Sequence, residues 1–215
     1  MKKIFWTLFV ALLIGCKSEK QTEKIELPFY NEETFTAEWI EEDNENYEKI
    51  HTIADFQFVD QDGQAITNET FDGKVYVANF FFTLCPTVCP KMEANLSLVQ
   101  DEFKDNDQVK ILSHTVMPWA DSVERLKEYA LQNDINSDQW HLVTGKQEDL
   151  YRMGRLAYFV DEGFGKGVTN LDDFLHTENM VLIDQKRRIR GIYNGTLKLE
   201  MRRMMDDIRY LLAKK

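Results

Sequence analysis

The sequence predicts an α/β fold: a central mixed sheet flanked by helices, with an extra N-terminal β-hairpin. Three observations carry that prediction. Lys74 to Phe82 (KVYVANFFF) is a continuous apolar run of the kind buried on both faces of a central parallel strand. Strand-like and helix-like segments alternate after it. The alternation then gives way to two strands joined by a turn and one closing helix.

Each element has a local reason. Ala54 to Val59 alternates apolar and polar side chains, and Asp60-Gln61-Asp62-Gly63 supplies a hairpin turn. After the apolar run, Met92, Leu96, Val99 and Phe103 recur at helical spacing, which predicts a helix over 88–103. Val109 to Val116 reads as the next strand and Ser122 to Gln132 as the next helix, with Asp121 as N-cap and Glu124 completing a capping box. Trp140 to Val143 is a short strand before a helix over 146–156. Met180 to Asp184 and Ile189 to Tyr193 form the late hairpin, and 197–213 is amphipathic. There is no internal repeat. This order is the thioredoxin-like arrangement, in which ligands sit at the carboxyl ends of the central strands.

The N-terminal region carries a different signal. Met1-Lys2-Lys3 and the apolar run Ile4 to Ile14 have the proportions of a secretory signal, too short to span a bilayer. The run ends in Leu13-Ile14-Gly15-Cys16, which resembles a bacterial lipobox; a lipid on Cys16 would anchor the protein to the cell membrane on its extracytoplasmic side. The expected organisation is a signal peptide over 1–15, an acidic membrane tether over 16–50 and a domain over 51–215. Within 17–50 there are eleven acidic and four basic residues, and Phe35, Trp39, Ile40 and Tyr47 are the candidates for docking part of it.

The whole chain has 215 residues, 26 basic against 37 acidic, and a formal charge of −11. That balance excludes nucleic acid as a partner, because phosphate-backbone binding needs a basic face. With Cys16 taken by lipid, Cys85 and Cys89 are the remaining thiols in an oxidising compartment. Their short loop would constrain the unfolded chain little, so the pair is chemical rather than structural.

Pro86 keeps Cys85 extended in the loop leaving the apolar strand, and Cys89 falls where the helix starts. A helix N-terminus favours thiolate, the form that binds metal or attacks disulfides. Both functions are open at this point, and Cys85 and Cys89 are also the candidate redox-active pair. C-x-x-x-C is one residue wider than the usual redox C-x-x-C and can present two sulfurs to one ion. Thioredoxin-like reductases place a proline before the late hairpin; here the stretch is Phe174-Leu175-His176-Thr177-Glu178-Asn179-Met180, with a histidine in its place. Two thiolates and an imidazole suit Cu(I) or Cu(II), and the set also accommodates zinc.

The runs F-F-T-L-C-P-T-V-C-P and D-D-F-L-H-T-E-N-M-V-L-I-D resemble the Sco/SenC family over roughly 54–213. That resemblance implies a membrane-anchored, thioredoxin-fold copper metallochaperone acting in cytochrome c oxidase assembly. Copper ligands would fall on Cys85, Cys89 and His176. The partners would be the copper-bearing subunit of a terminal oxidase and other copper carriers. The alternative is a thiol–disulfide oxidoreductase that keeps that subunit's cysteines reduced. A peroxidase needs an arginine beside the thiol, and no candidate stands out. Two positions depart from the family: Thr87 stands where some members have an acidic residue, and Met117-Pro118 replaces the usual Asp-Pro, with Asp121 following at a plausible place.

Other residues take plainer readings. His51, His114 and His141 are ordinary polar or core histidines. Met117 is read as packing, and Met201, Met204 and Met205 as a core stripe with Ile208, Leu211 and Leu212. Gly163, Gly165 and Gly167 form a loop lacking the flanking strand and Lys-Ser/Thr of a phosphate-binding motif.

Overall fold

The computed structural model describes residues 26–160 and 177–214. Its core strand is β5 (Val75–Phe81), every residue of which is buried, as its unbroken apolar run requires. Two short strands of an outlying ribbon, β1 (Phe29–Tyr30) and β2 (Ala37–Glu38), precede the main sheet. The N-terminal hairpin is β3 (Gln57–Asp60) and β4 (Ala65–Thr67). Its turn closes through the Asp60 carboxylate, which accepts the N–H groups of Asp62 and Gln64, and through Gly63 at φ +73°.

After β5 come α1 (Val88–Glu102), β6 (Val109–Thr115), α2 (Val123–Gln132), β7 (Trp140–Thr144) and α3 (Gln147–Arg152). The chain finishes with β8 (Asn179–Ile183), β9 (Ile189–Asn194) and α4 (Lys198–Ala213). The seven-stranded sheet runs β4-β3-β7-β6-β5-β8-β9. The pairs β5–β6 and β6–β7 are parallel, while β3 against β7, β8 against β5 and β9 against β8 are antiparallel. The mixed sheet, flanking helices and extra N-terminal hairpin are the architecture expected from the sequence.

Alternation along the strands sends side chains to two cores. Val75, Val77, Phe81, Ile111 and Leu142 pack with Met92 and Leu96 of α1, Leu126 of α2 and Met201, Met204 and Ile208 of α4. Tyr76, Ala78, Phe80, Leu112 and Val143 face the other way, onto Phe56, Phe71, Leu150 and Tyr158. Met201 and Met204 of the α4 stripe are thus core, as their spacing implied, and Met205 is partly buried against its edge.

Two local expectations are corrected. The N-cap of α2 is Ser122, whose hydroxyl accepts the Arg125 N–H, and not Asp121. Adjacent Asp and Ser are both good caps, and Asp121 is drawn instead into buried contacts described below. The single helix expected over 146–156 is α3 followed by a π-helical turn, Met153–Ala157, in which the Tyr158 N–H reaches back to the Met153 carbonyl.

Residues 26–50, within the acidic stretch read as a tether, lie as a strap against the end of the sheet where β5 begins. Leu27 and Phe29 are its buried anchors. Arg190 of β9 donates to the carbonyls of Pro28 (2.9 Å) and Leu27 (2.5 Å), and its guanidinium lies over the Phe29 ring. Asp184 neutralises it and also pairs with Arg188, all three being buried. Among the residues expected to dock, Tyr47 packs edge-on against Phe29 and Phe35 lies against the second core, while Trp39 is largely exposed. No helix among the described residues is long and apolar enough to cross a membrane.

Candidate metal centre

The two cysteines meet where β5 runs into α1. Phe82 ends the apolar run, and its carbonyl accepts the Cys85 N–H at 3.2 Å, closing a tight turn. Pro86 disfavours helix at Cys85, so α1 starts three residues later with Cys89 in its first turn. The residue before the helix, Thr87, makes no side-chain cap. The Cys85 sulfur fills that role: the Cys89 N–H donates to it at 3.4 Å.

This arrangement splits the thiols electrostatically. Burial works against ionisation of Cys85, but the N–H groups of Cys89, Thr87 and Val88 and the Cys89 thiol outweigh it, holding its pKa below the ordinary thiol value. Cys89, 2% exposed, goes the other way: burial pushes its pKa up to about 12. The expectation that the helix end would favour thiolate at both positions is therefore corrected for Cys89. Desolvation inside the core exceeds what the helix terminus supplies. Both thiols are free.

Below Cys89 is a cavity of about 10 Å³, room for one water, lined in part by Asn79, Glu93, Ser113, Tyr129 and Trp140. The Tyr129 hydroxyl donates to Glu93 (3.2 Å), the Ser113 hydroxyl to Asn79 (2.5 Å), and the Trp140 indole N–H to Ser113 (2.8 Å). Burial raises the Glu93 carboxyl above its usual range.

The structure brings Cys85 and Cys89 together. His176, Cys16 and the Gly163, Gly165 and Gly167 loop lie outside the described residues. Among the described residues no group of three or more His, Cys, Asp or Glu side chains is placed to hold a metal. The neighbour of His176, Thr177, is described and buried. Strand β8 pairs with β5 as Tyr76↔Ile183, Val77↔Leu182 and Ala78↔Val181. Thr177 stands two residues before Asn179, the first residue of β8.

The other three histidines lie away from the cysteines, and two of them are hydrogen-bonded. His51 Nε2 is 2.8 Å from the Ala157 carbonyl, and His141 Nδ1 is 3.1 Å from the Asp60 carboxylate. His114 faces the core opposite Cys89, stacked on Phe80 at 4.7 Å. Burial pushes its pKa down to about 3, the Asn79 backbone offsetting only part of that. Apart from that approach of the Asn79 backbone, which falls short of good hydrogen-bond geometry, neither ring nitrogen has a partner among the described residues. Met117 is packed against the same core.

One residue near the site was assigned a different role from sequence. Asp121, fully buried, accepts the Thr83 hydroxyl at 2.6 Å, the Thr83 N–H at 3.3 Å and the Thr115 hydroxyl. Thr83 also accepts from Arg125 Nε at 3.1 Å. The available signal was a threonine just past the end of β5 and another at the end of its neighbour β6.

The SCO1/SenC family model matches residues 44–213. An SCO1 protein homolog of Bacillus subtilis (strain 168) is 28% identical over 165 residues, covering 76% of this chain and 82% of the relative. The crystal structure of a SCO1/SenC family lipoprotein from Bacillus anthracis str. Ames aligns with a TM-score of 0.65 at 30% identity, covering 75% and 95% of the two chains. That of Bradyrhizobium japonicum ScoI with copper bound aligns with a TM-score of 0.59 at 26% identity, covering 74% and 99%.

Proposed function

Since the chain belongs to the SCO1/SenC family, we propose that it binds one copper ion through Cys85, Cys89 and His176 and passes it to the copper-bearing subunit of a terminal oxidase during assembly. The observation that carries this reading is the pairing of two free thiols across the first turn of α1, one capped by N–H groups and half-exposed, the other buried. The likeness to a copper-bound relative, ScoI of Bradyrhizobium japonicum, supports the choice of metal. His176 is covalently next to Thr177, which is buried just ahead of β8, the strand paired with β5.

The donor set fits copper chemically: soft thiolates favour Cu(I), and an imidazole serves either oxidation state. Copper is cargo in this reading. Cys89 would be the inner ligand, its thiol proton released to solvent as the thiolate takes the metal. Cys85, which ionises more readily and reaches the surface, is the ligand that an incoming thiolate displaces first. A lipid on Cys16 would hold the protein on the extracytoplasmic face of the membrane; likeness to the Bacillus anthracis lipoprotein supports that placement.

The test is copper titration of the protein without residues 1–20, wild type against His176→Ala. One equivalent should bind tightly to the wild type, with affinity reduced at least tenfold in the variant. Equal affinity would remove His176 from the site.

A second reading is favoured by the asymmetry of the thiols. A readily ionised outer cysteine beside a buried one is also the arrangement of a thiol–disulfide oxidoreductase, with Cys85 attacking and Cys89 resolving. That activity would persist without copper and in His176→Ala.

A further inference from the structure

Asp121 is a fully buried carboxylate with no cation in ion-pair contact among the described residues. It receives donors from two loops at once. From the loop after β5 it takes the N–H and hydroxyl of Thr83, and from the end of β6 the hydroxyl of Thr115. Thr115 in turn accepts the Met117 N–H at 3.0 Å, and Met117 accepts the Asp121 N–H at 2.9 Å. Asp121 therefore fastens the two loops to each other at the carboxyl ends of their strands.

The fastening bears on one cysteine. Thr83 lies between Phe82, whose carbonyl holds the Cys85 N–H, and Leu84, which is largely exposed; Cys85 itself packs against the edge of the first core. The position of the Cys85 sulfur over the first turn of α1 is set by the Cys89 N–H, by the core edge it packs on and by what holds the chain just upstream. Arg125 of α2 completes the arrangement by donating to the same Thr83 hydroxyl. Cys89, by contrast, is held by α1 and the core without help from Asp121.

We infer that Asp121 is a positioning residue for the Cys85–Cys89 pair: through Thr83 it fixes where the Cys85 sulfur sits relative to Cys89. The fully satisfied carboxylate gives the turn one geometry, where a hydroxyl cap would bind one loop and leave the other free. The inference rests on the reading that Cys85 and Cys89 act together, and it holds for metal binding and for disulfide chemistry alike.

Thr83→Val, Thr83→Ser and Asp121→Asn test it in the intact domain. Valine keeps the shape of threonine and removes the hydroxyl; serine restores the hydroxyl. The metal-free readout is the Cys85–Cys89 disulfide equilibrium in a glutathione buffer, where two protein thiols are oxidised as one glutathione disulfide is reduced to two thiols. Thr83→Val and Asp121→Asn should move that equilibrium at least fivefold, and Thr83→Ser should return it close to wild type. The sulfur-to-copper absorption band of the loaded protein should shift in the same two variants. Should Asp121→Asn fail to fold, the valine and serine variants decide the matter. A folded Thr83→Val with the wild-type equilibrium overturns the inference. Failure of wild-type protein to bind copper overturns the proposed function alone, since the disulfide readout needs no metal.

Discussion

The backbone N–H of Cys89 points at the sulfur of Cys85 from 3.4 Å, so one cysteine caps the helix that carries the other. Cys85 is consequently the more acidic thiol, and Cys89 is held protonated by burial. Alkylation of the metal-free protein should modify Cys85 first, with a rate that levels off at a lower pH than for an ordinary thiol. Cys89 should stay unmodified through pH 9. Peptide mass mapping checks the order, and first labelling at Cys89 would refute the assignment.

His114 makes stability acid-sensitive. Its pKa is about 3 in the folded protein and about 6.5 when unfolded. Below pH 6.5 the unfolded chain takes up a proton that the native state refuses. The stability present above pH 6.5 is therefore lost as pH falls toward 3, at up to about 1.4 kcal/mol per pH unit. His114→Phe removes both ring nitrogens and should flatten that decline. Thermal melts from pH 7 to pH 4.5 check it; equal slopes in the two proteins would exclude His114 as the source.

Arg190 holds the strap by two carbonyls and one carboxylate. Arg190→Met should cost about 3 kcal/mol, because Asp184 loses one of its two buried cations and the Leu27 and Pro28 carbonyls lose their donor. The urea midpoint should fall and proteolysis within 26–50 should quicken. A wild-type midpoint would mean that Leu27 and Phe29 hold the strap by packing alone.

Ser113 joins Asn79 to Trp140 beside the cavity under Cys89. Ser113→Ala strands a buried amide oxygen and an indole N–H, at a cost of about 2 kcal/mol. Equilibrium denaturation measures the loss, and a shift in tryptophan emission should accompany it.

What the sequence disclosed follows from how local each cause is. The strand Val75–Phe81 and the helix Val88–Glu102 were legible because burial writes itself into periodicity within a few residues. The cysteine pair was legible from spacing and from the prolines around it. Asp121 was misread because Asp121-Ser122 offers two equally good caps, and the choice is made by Thr83 and Thr115, which are brought near only by strand pairing. The strap anchors were hidden for a similar reason: Arg190 binds backbone carbonyls, which no side-chain pattern records. The π-helical turn after Arg152 is likewise set by long-range packing of Met153, Ala157 and Tyr158 rather than by propensity. The unequal acidity of the cysteines needed the depth of Cys89 in the core, a quantity that spacing does not contain.

The strap has a topological consequence. The Glu26 carboxylate and the Lys214 ammonium are 2.7 Å apart, although 188 positions separate them in the chain. The described domain is close to a ring, with its seam at the end of the sheet opposite the cysteines. A short glycine-rich linker across that seam, with the chain reopened at the exposed Gly63 turn, would give a circular permutant that keeps every strand pairing on either side of β5. Both ends of the permuted chain would then leave from the hairpin edge of the sheet.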